Sequence, residues 1–154
     1  MKSSKQLADR IREVILSGTW VANTNFKDQL KGTTLEMATT EVNSLNTLAA
    51  LAQHIHYYLH GVAQVFKGGD LKIRDAYSFD FPPMESQIQW DAFLEKFWKE
   101  TEEFAILIEA LSDDQLKAAF IKDDYGTFQR NIDGMIEHTY YHLGQVVLIK
   151  KMIG

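Results

Sequence analysis

The sequence contains no cysteine among its 154 residues. Disulfide scaffolds, thiolate metal sites, iron–sulfur clusters and cysteine nucleophiles are therefore excluded. Proline is nearly absent as well: the only two are adjacent, Pro82 and Pro83. Because proline breaks helix interiors, almost the whole chain is left free to be helical. No apolar run approaches the ~18 residues that a membrane span requires. The opening Met1-Lys2-Ser3-Ser4 leads straight into an amphipathic stretch rather than a leader-like one. Acidic residues outnumber basic ones, 21 to 16, for a formal charge of -5, which argues against a general electrostatic grip on nucleic acid. The expectation is a soluble, cytoplasmic protein with neither a nucleic acid nor a membrane as partner. Its chemistry must rest on histidine, carboxylates, hydroxyls or a bound cofactor.

What is present is an ordinary globular mixture, 45% hydrophobic and 24% charged, in a chain whose length suits one domain of ~100–150 residues. Leu7, Ile11, Val14 and Ile15 recur at helical spacing over residues 4–17, with Gly18 as a stop. Residues 20–40 lose that periodicity and read as a long connection with room for a short helical turn. From Asn43 to Phe66 the stripe Leu45, Leu48, Ala52, Ile55, Leu59, Val62 and Phe66 predicts a long helix, ended by Gly68-Gly69. Residues 70–86 form a second long connection, of the kind needed when consecutive helices are not antiparallel neighbours. Ser86 and Gln89 have capping-box spacing, and a helix follows through Trp90, Phe93, Leu94, Phe97, Phe104, Ile108 and Leu111. Ser112 to Gln115 caps a short helix reaching Phe120, Asp123 to Gly126 is a turn, and Phe128 to Met152 is the last helix. There is no internal repeat and no linker. The fold class predicted is all-α, a single four-helix bundle with long crossover connections.

All five histidines, His54, His56, His60, His138 and His142, fall inside two of these helices. His138 and His142 are four apart, which stacks them on one helical face with Cβ atoms ~5–6 Å apart. That separation suits two imidazoles on one ion, although a half-buried histidine commonly does no more than donate a hydrogen bond. The zincin motif is excluded, because Thr139 stands where its glutamate would be. In the other cluster, His54 and His56 differ by ~200° around the helix and cannot serve one site together. The apolar stripe leans toward His56 as the more buried of the two, with His60 on its side, but it leaves the third ligand open.

The string His138-Thr139-Tyr140-Tyr141-His142-Leu143-Gly144-Gln145 resembles the His-x-x-x-His-x-Gly-Gln signature of the DinB-like superfamily. That superfamily comprises four-helix bundles of damage-inducible and bacillithiol-transferase-like type. Leu48-Ala49-Ala50-Leu51-Ala52-Gln53-His54-Ile55 resembles its second-helix landmark, and the likeness extends over essentially the whole chain. The resemblance implies that His54, His138 and His142 hold one divalent metal, zinc or nickel foremost, and gives His56 and His60 no role. It also implies a homodimer, and an activity in which water or a low-molecular-weight thiol attacks an electrophilic small molecule, as in a hydrolase or thiol S-transferase. The contrasting expectation is a non-enzymatic dimeric stress or interaction protein with a structural or vestigial metal site. No acid or base beside the three histidines is evident. Tyr58 and Gln145 are the catalytic candidates, Glu137 is a candidate outer partner of His138, and Gly144 is expected to permit close helix packing. Tyr140 and Tyr141 are expected in the core. Residues 75–83, aromatic and acidic, are either a cover over the site mouth or simply a packed crossover.

Overall fold

In the computed structural model, residues 3–154 are described, so Met1 and Lys2 of the opening stretch lie outside them. The regular structure of the described residues is all helical, with one isolated bridge between Ala119 and Thr127 and no strands among them. The helices are α1 (Ser3–Arg12), α2 (Phe26–Leu30), α3 (Leu35–Thr39), α4 (Leu48–Phe66), α5 (Gln87–Glu109), α6 (Asp113–Lys117) and α7 (Phe128–Ile153). No helix among the described residues is long and apolar enough to cross a membrane.

The directions of the four long helices follow from which residues meet. His56 lies against Phe93 and Phe97, His60 against Glu100 and Phe66 against Phe104. The numbers rise together, so α4 and α5 run parallel, and the long connection between them is the crossover this requires. His54 meets His142, Tyr58 meets His138 and Phe66 meets Phe128, so α4 and α7 are antiparallel. Ser4 reaches Glu109 and Arg12 reaches Glu102, making α1 antiparallel to α5. Arg10 pairs with Asp133 and Glu13 with Tyr140, making α1 parallel to α7. The resulting cycle of neighbours, α1–α5–α4–α7, encloses a core that includes Ile11, Leu51, Ile55, Leu59, Phe97, Phe104, Ile108 and Ile132, all fully buried. Each such side chain contributes about 1.5–3 kcal/mol relative to exposure.

Several boundaries differ from the periodic pattern for local reasons. α4 starts at Leu48, not Asn43: Thr47 caps it by accepting from the Ala50 amide, and Asn43 has φ 52° in the left-handed region. Leu45 is consequently exposed rather than part of the stripe. α1 continues into a π-helical turn over Glu13–Ser17, which apolar spacing does not signal. At Ser86 only half of the capping box forms, because the Gln89 side chain accepts from the Glu85 amide instead. The complete box is at Ser112 and Gln115, but α6 stops at Lys117 and the chain enters the Ala119–Thr127 bridge before Phe120.

The 20–40 segment is more ordered than its polarity implies. Phe26 and Leu30 of α2 are fully buried, and Trp90 is buried because its indole N–H donates to the Thr33 hydroxyl at 2.9 Å. Gln87 accepts from the Leu35 amide and donates to the Thr33 carbonyl, tying this segment to the start of α5. Lys150 donates to the Gln29 carbonyl at 2.6 Å, so a lysine suited to the helix C-terminal dipole also anchors α2 to α7.

Candidate metal centre

His54 projects from α4, and His138 and His142 from the antiparallel α7, into the same space. Their Nε2 atoms converge: His54 Nε2 is 3.1 Å and His142 Nε2 2.9 Å from His138 Nε2. The other ring nitrogens of two of the three are held from behind. His54 Nδ1–H donates to the Ser78 carbonyl at 2.9 Å, and His142 Nδ1–H donates to the Gln145 side-chain oxygen at 2.6 Å. A neutral imidazole with its proton fixed on Nδ1 must present a lone pair at Nε2. Two lone pairs are thus aimed at His138 Nε2, which carries one proton at most. At least one of the contacts is short of a full hydrogen bond, and a shared cation would satisfy all three.

The donor set fits a first-row divalent ion. Donors each ~2.0–2.1 Å from one tetrahedral ion stand about 3.3–3.4 Å apart, so the observed separations need little opening. Burial depresses the pKa of all three imidazoles. His138 is pushed down to about 4 by burial first and then by its two histidine neighbours. His54 and His142 are lowered by burial despite their hydrogen bonds to Ser78 and Gln145. Neutral, desolvated imidazoles are the form in which histidine binds metal.

The lean of the apolar stripe toward His56 does not hold. His54 is only 5% exposed, whereas His56 turns to the other side of α4. There His56 and His60 both meet Glu100 of α5, at 2.6 and 2.9 Å. The Gln145 side chain is turned to His142, accepting from its Nδ1–H. Glu137 is exposed and paired with Arg130, away from His138. A Cβ at Gly144 would meet nothing within 4 Å, so this glycine is not required for packing; the close approach is at Gly61, where a Cβ would run into the Ile73 side chain. Tyr140 packs against the core and reaches Glu13, but Tyr141 is 65% exposed, with its ring beside His142.

The 70–86 crossover covers the site. Ser78 supplies the carbonyl that fixes His54, and Phe79 stacks on the His54 ring at 4.0 Å with an interplanar angle of 7°. Tyr57 holds the crossover from below, donating to the Arg74 carbonyl and accepting from its amide. Tyr58, whose ring lies 5.1 Å from His54 and 5.3 Å from His138, donates to Asp75 Oδ1 at 2.6 Å. Burial and then this contact with Asp75 raise the Tyr58 pKa, so the phenol keeps its proton. Asp75 also acts electrostatically on His138. It is a carboxylate beside the three histidines, marked in the sequence only as part of the acidic, aromatic 75–83 segment. Beside these residues opens a cleft of ≈ 610 Å³, lined in part by Tyr58, Arg74, Asp75, Arg130, Met135 and His138. That is within the range of small-molecule sites. No protein-family model, curated protein or solved structure matches the chain.

Proposed function

We propose that this protein is a divalent-metal-dependent enzyme of the DinB-like type, built as a four-helix bundle, in which His54, His138 and His142 hold zinc or nickel. Its reaction is attack by water or a low-molecular-weight thiol on an electrophilic small molecule in the adjoining cleft, as in a hydrolase or thiol S-transferase. The observation that carries this reading is the convergence of three Nε2 atoms with the opposite nitrogens of His54 and His142 already engaged. Hydrogen-bonded outer partners are what orient metal-ligating histidines. Three protein ligands leave a coordination position for a reactant, as in catalytic rather than structural sites. When bound, the ion supplies Lewis-acid chemistry, bringing the pKa of water toward ~7 or stabilising a thiolate.

The chain's own residues have distinct tasks. Asp75 takes the proton that a water or thiol gives up as it attacks, and Tyr58 remains protonated and orients Asp75. Phe79 and Ser78 keep the His54 ring in one plane and one tautomer. Arg74 and Arg130 give the cleft two cationic groups for a polar or anionic part of the substrate, while Met135 offers an apolar wall.

Elemental analysis of tag-free protein tests the assignment: about one equivalent of metal is expected at this site, and His142→Ala removes it. Less than a tenth of an equivalent after Zn²⁺ and Ni²⁺ are both offered overturns the reading. Electrophiles offered with bacillithiol, glutathione or coenzyme A test the reaction class. The second reading, a non-enzymatic dimeric protein, shares with the first a surface for self-association: Tyr141, Leu148 and Met152 are exposed apolar residues at helical spacing on α7. A dimer that is silent toward every thiol and electrophile with metal bound would decide for it.

A further inference from the structure

We propose that His56, His60 and Glu100 form a second site for a first-row divalent cation, on the face of α4 opposite the first. It stands independently of the function proposed above, because it shares no ligand with the triad.

The same i, i+4 spacing that pairs His138 with His142 pairs His56 with His60 on one helical face. Here the facing helix contributes a carboxylate. Glu100 Oε2 accepts from His56 Nε2 at 2.6 Å and from His60 Nδ1 at 2.9 Å. One donor atom from each residue lies within 4.8 Å of the other two. Two imidazoles and one carboxylate are a donor set that zinc, iron and neighbouring ions accept, with positions left over for water. A neutral imidazole can move its proton to the other ring nitrogen and offer a lone pair instead, so the hydrogen-bonded and metal-bound arrangements need the same three side chains in nearly the same places.

The surroundings match this use. The His56 and Glu100 side chains are 13% and 20% exposed, and the His60 side chain is half exposed, so the cluster is held on the core side and open on the other. Phe93 and Phe97 pack edge-on against the His56 ring. A separate cavity of ≈ 280 Å³, with His56, His60, Tyr57 and Phe81 in its lining, adjoins the cluster. The competing cation is Lys96, whose Nζ is 3.9 Å from the other oxygen, Glu100 Oε1. Its side chain is 58% exposed, so it can swing into solvent as an ion arrives.

The test uses the tag-free full chain, stripped with chelator and dialysed against micromolar Zn²⁺, with elemental analysis. The expected stoichiometry is two equivalents for the unmodified chain, one for His142→Ala, one for His60→Ala and none for the double variant. In the His142→Ala background, Glu100→Gln, which keeps the shape but loses the charge, should weaken the remaining site. The loss should exceed the ~10–100-fold that losing an outer partner costs. Melting curves show that each variant is folded, and half-exposed His60 is the substitution least able to disturb the core. One equivalent in the unmodified chain that His142→Ala abolishes and His60→Ala leaves intact would overturn the second site, reducing the cluster to a hydrogen-bonded bridge between α4 and α5. So would a residual equivalent in His142→Ala that survives Glu100→Gln. The reverse pattern, one equivalent abolished by His60→Ala and untouched by His142→Ala, would uphold this site and refute the triad.

Discussion

Replacing Gln145 by leucine removes one atom that matters, the side-chain oxygen 2.6 Å from His142 Nδ1. Leucine is close to glutamine in volume and a strong helix former, so α7 should be undisturbed. The effect falls on His142, which loses what fixes its proton on Nδ1 and its Nε2 lone pair toward the site. A neutral hydrogen bond contributes about 0.5–1.5 kcal/mol net. Loss of an outer partner of a metal-ligating histidine costs about 10–100-fold in affinity, or about 1.4–2.7 kcal/mol. The two estimates meet near 1.4 kcal/mol, so Gln145→Leu should raise the Zn²⁺ Kd at the triad by at least about tenfold. Gln145→Glu should tighten binding, because a carboxylate accepts the Nδ1–H more strongly than an amide does. Competition against a chromophoric chelator, in the His60→Ala background so that only the triad is read, gives the Kd directly. A Kd within twofold for both variants would refute the reasoning: the Gln145 contact would then not orient the ligand.

Protons should compete poorly for the triad, since burial sets all three imidazoles below the ordinary histidine range. Zn²⁺ occupancy is expected to hold from pH 7 to about 6 and fall toward the His138 pKa of about 4. In the metal-free protein the folded His138 pKa lies below the unfolded value of 6.5, so the unfolded chain binds more protons in between. That contribution to stability is complete above pH 6.5 and lost as pH falls toward 4; the melting temperature should drop over this window, less steeply in His138→Asn. Gly61→Ala drives a Cβ into Ile73 and should destabilise by about 1–3 kcal/mol in urea unfolding. An unchanged midpoint would mean that the crossover yields freely. On an electrophile turned over in the thiol screen, Asp75→Asn should lower kcat by about 100–10,000-fold with metal stoichiometry intact, and a kcat within threefold would remove Asp75 from proton transfer.

The long helices were legible because single-faced apolar spacing survives any packing partner: Leu7, Ile11, Val14 and Ile15 are buried as their period predicts. The choice between His54 and His56 was not legible, for a physical reason. α4 is packed on two sides, by α7 and by α5, so its apolar arc is wide and each histidine borders it. Which one meets His138 depends on the neighbour, not on the period. The spacing of His138 and His142 pointed to a shared site, and resemblance supplied His54. Asp75, Ser78 and Phe79 had no comparable signal, because a crossover has no period and its conformation is set by contacts such as those of Tyr57 and Tyr58 with residues 74 and 75. The helix start at Leu48 and the π-helical turn in the first segment likewise depend on capping and backbone choices that apolar spacing does not carry.

Residues 70–86 give the His54 ring both its backing carbonyl and its stacked aromatic face, while the helices supply its point of attachment and the neighbours at its Nε2 edge. Scaffold and tuning are therefore separable in this molecule. Substitutions at Phe79 or Asp75 can alter the polarity and breadth of the cleft while the buried side chains of α4 and α7 stay as they are. A chain built this way can change what surrounds its three histidines by rewriting one covering strap, at small cost to the stability of the frame beneath.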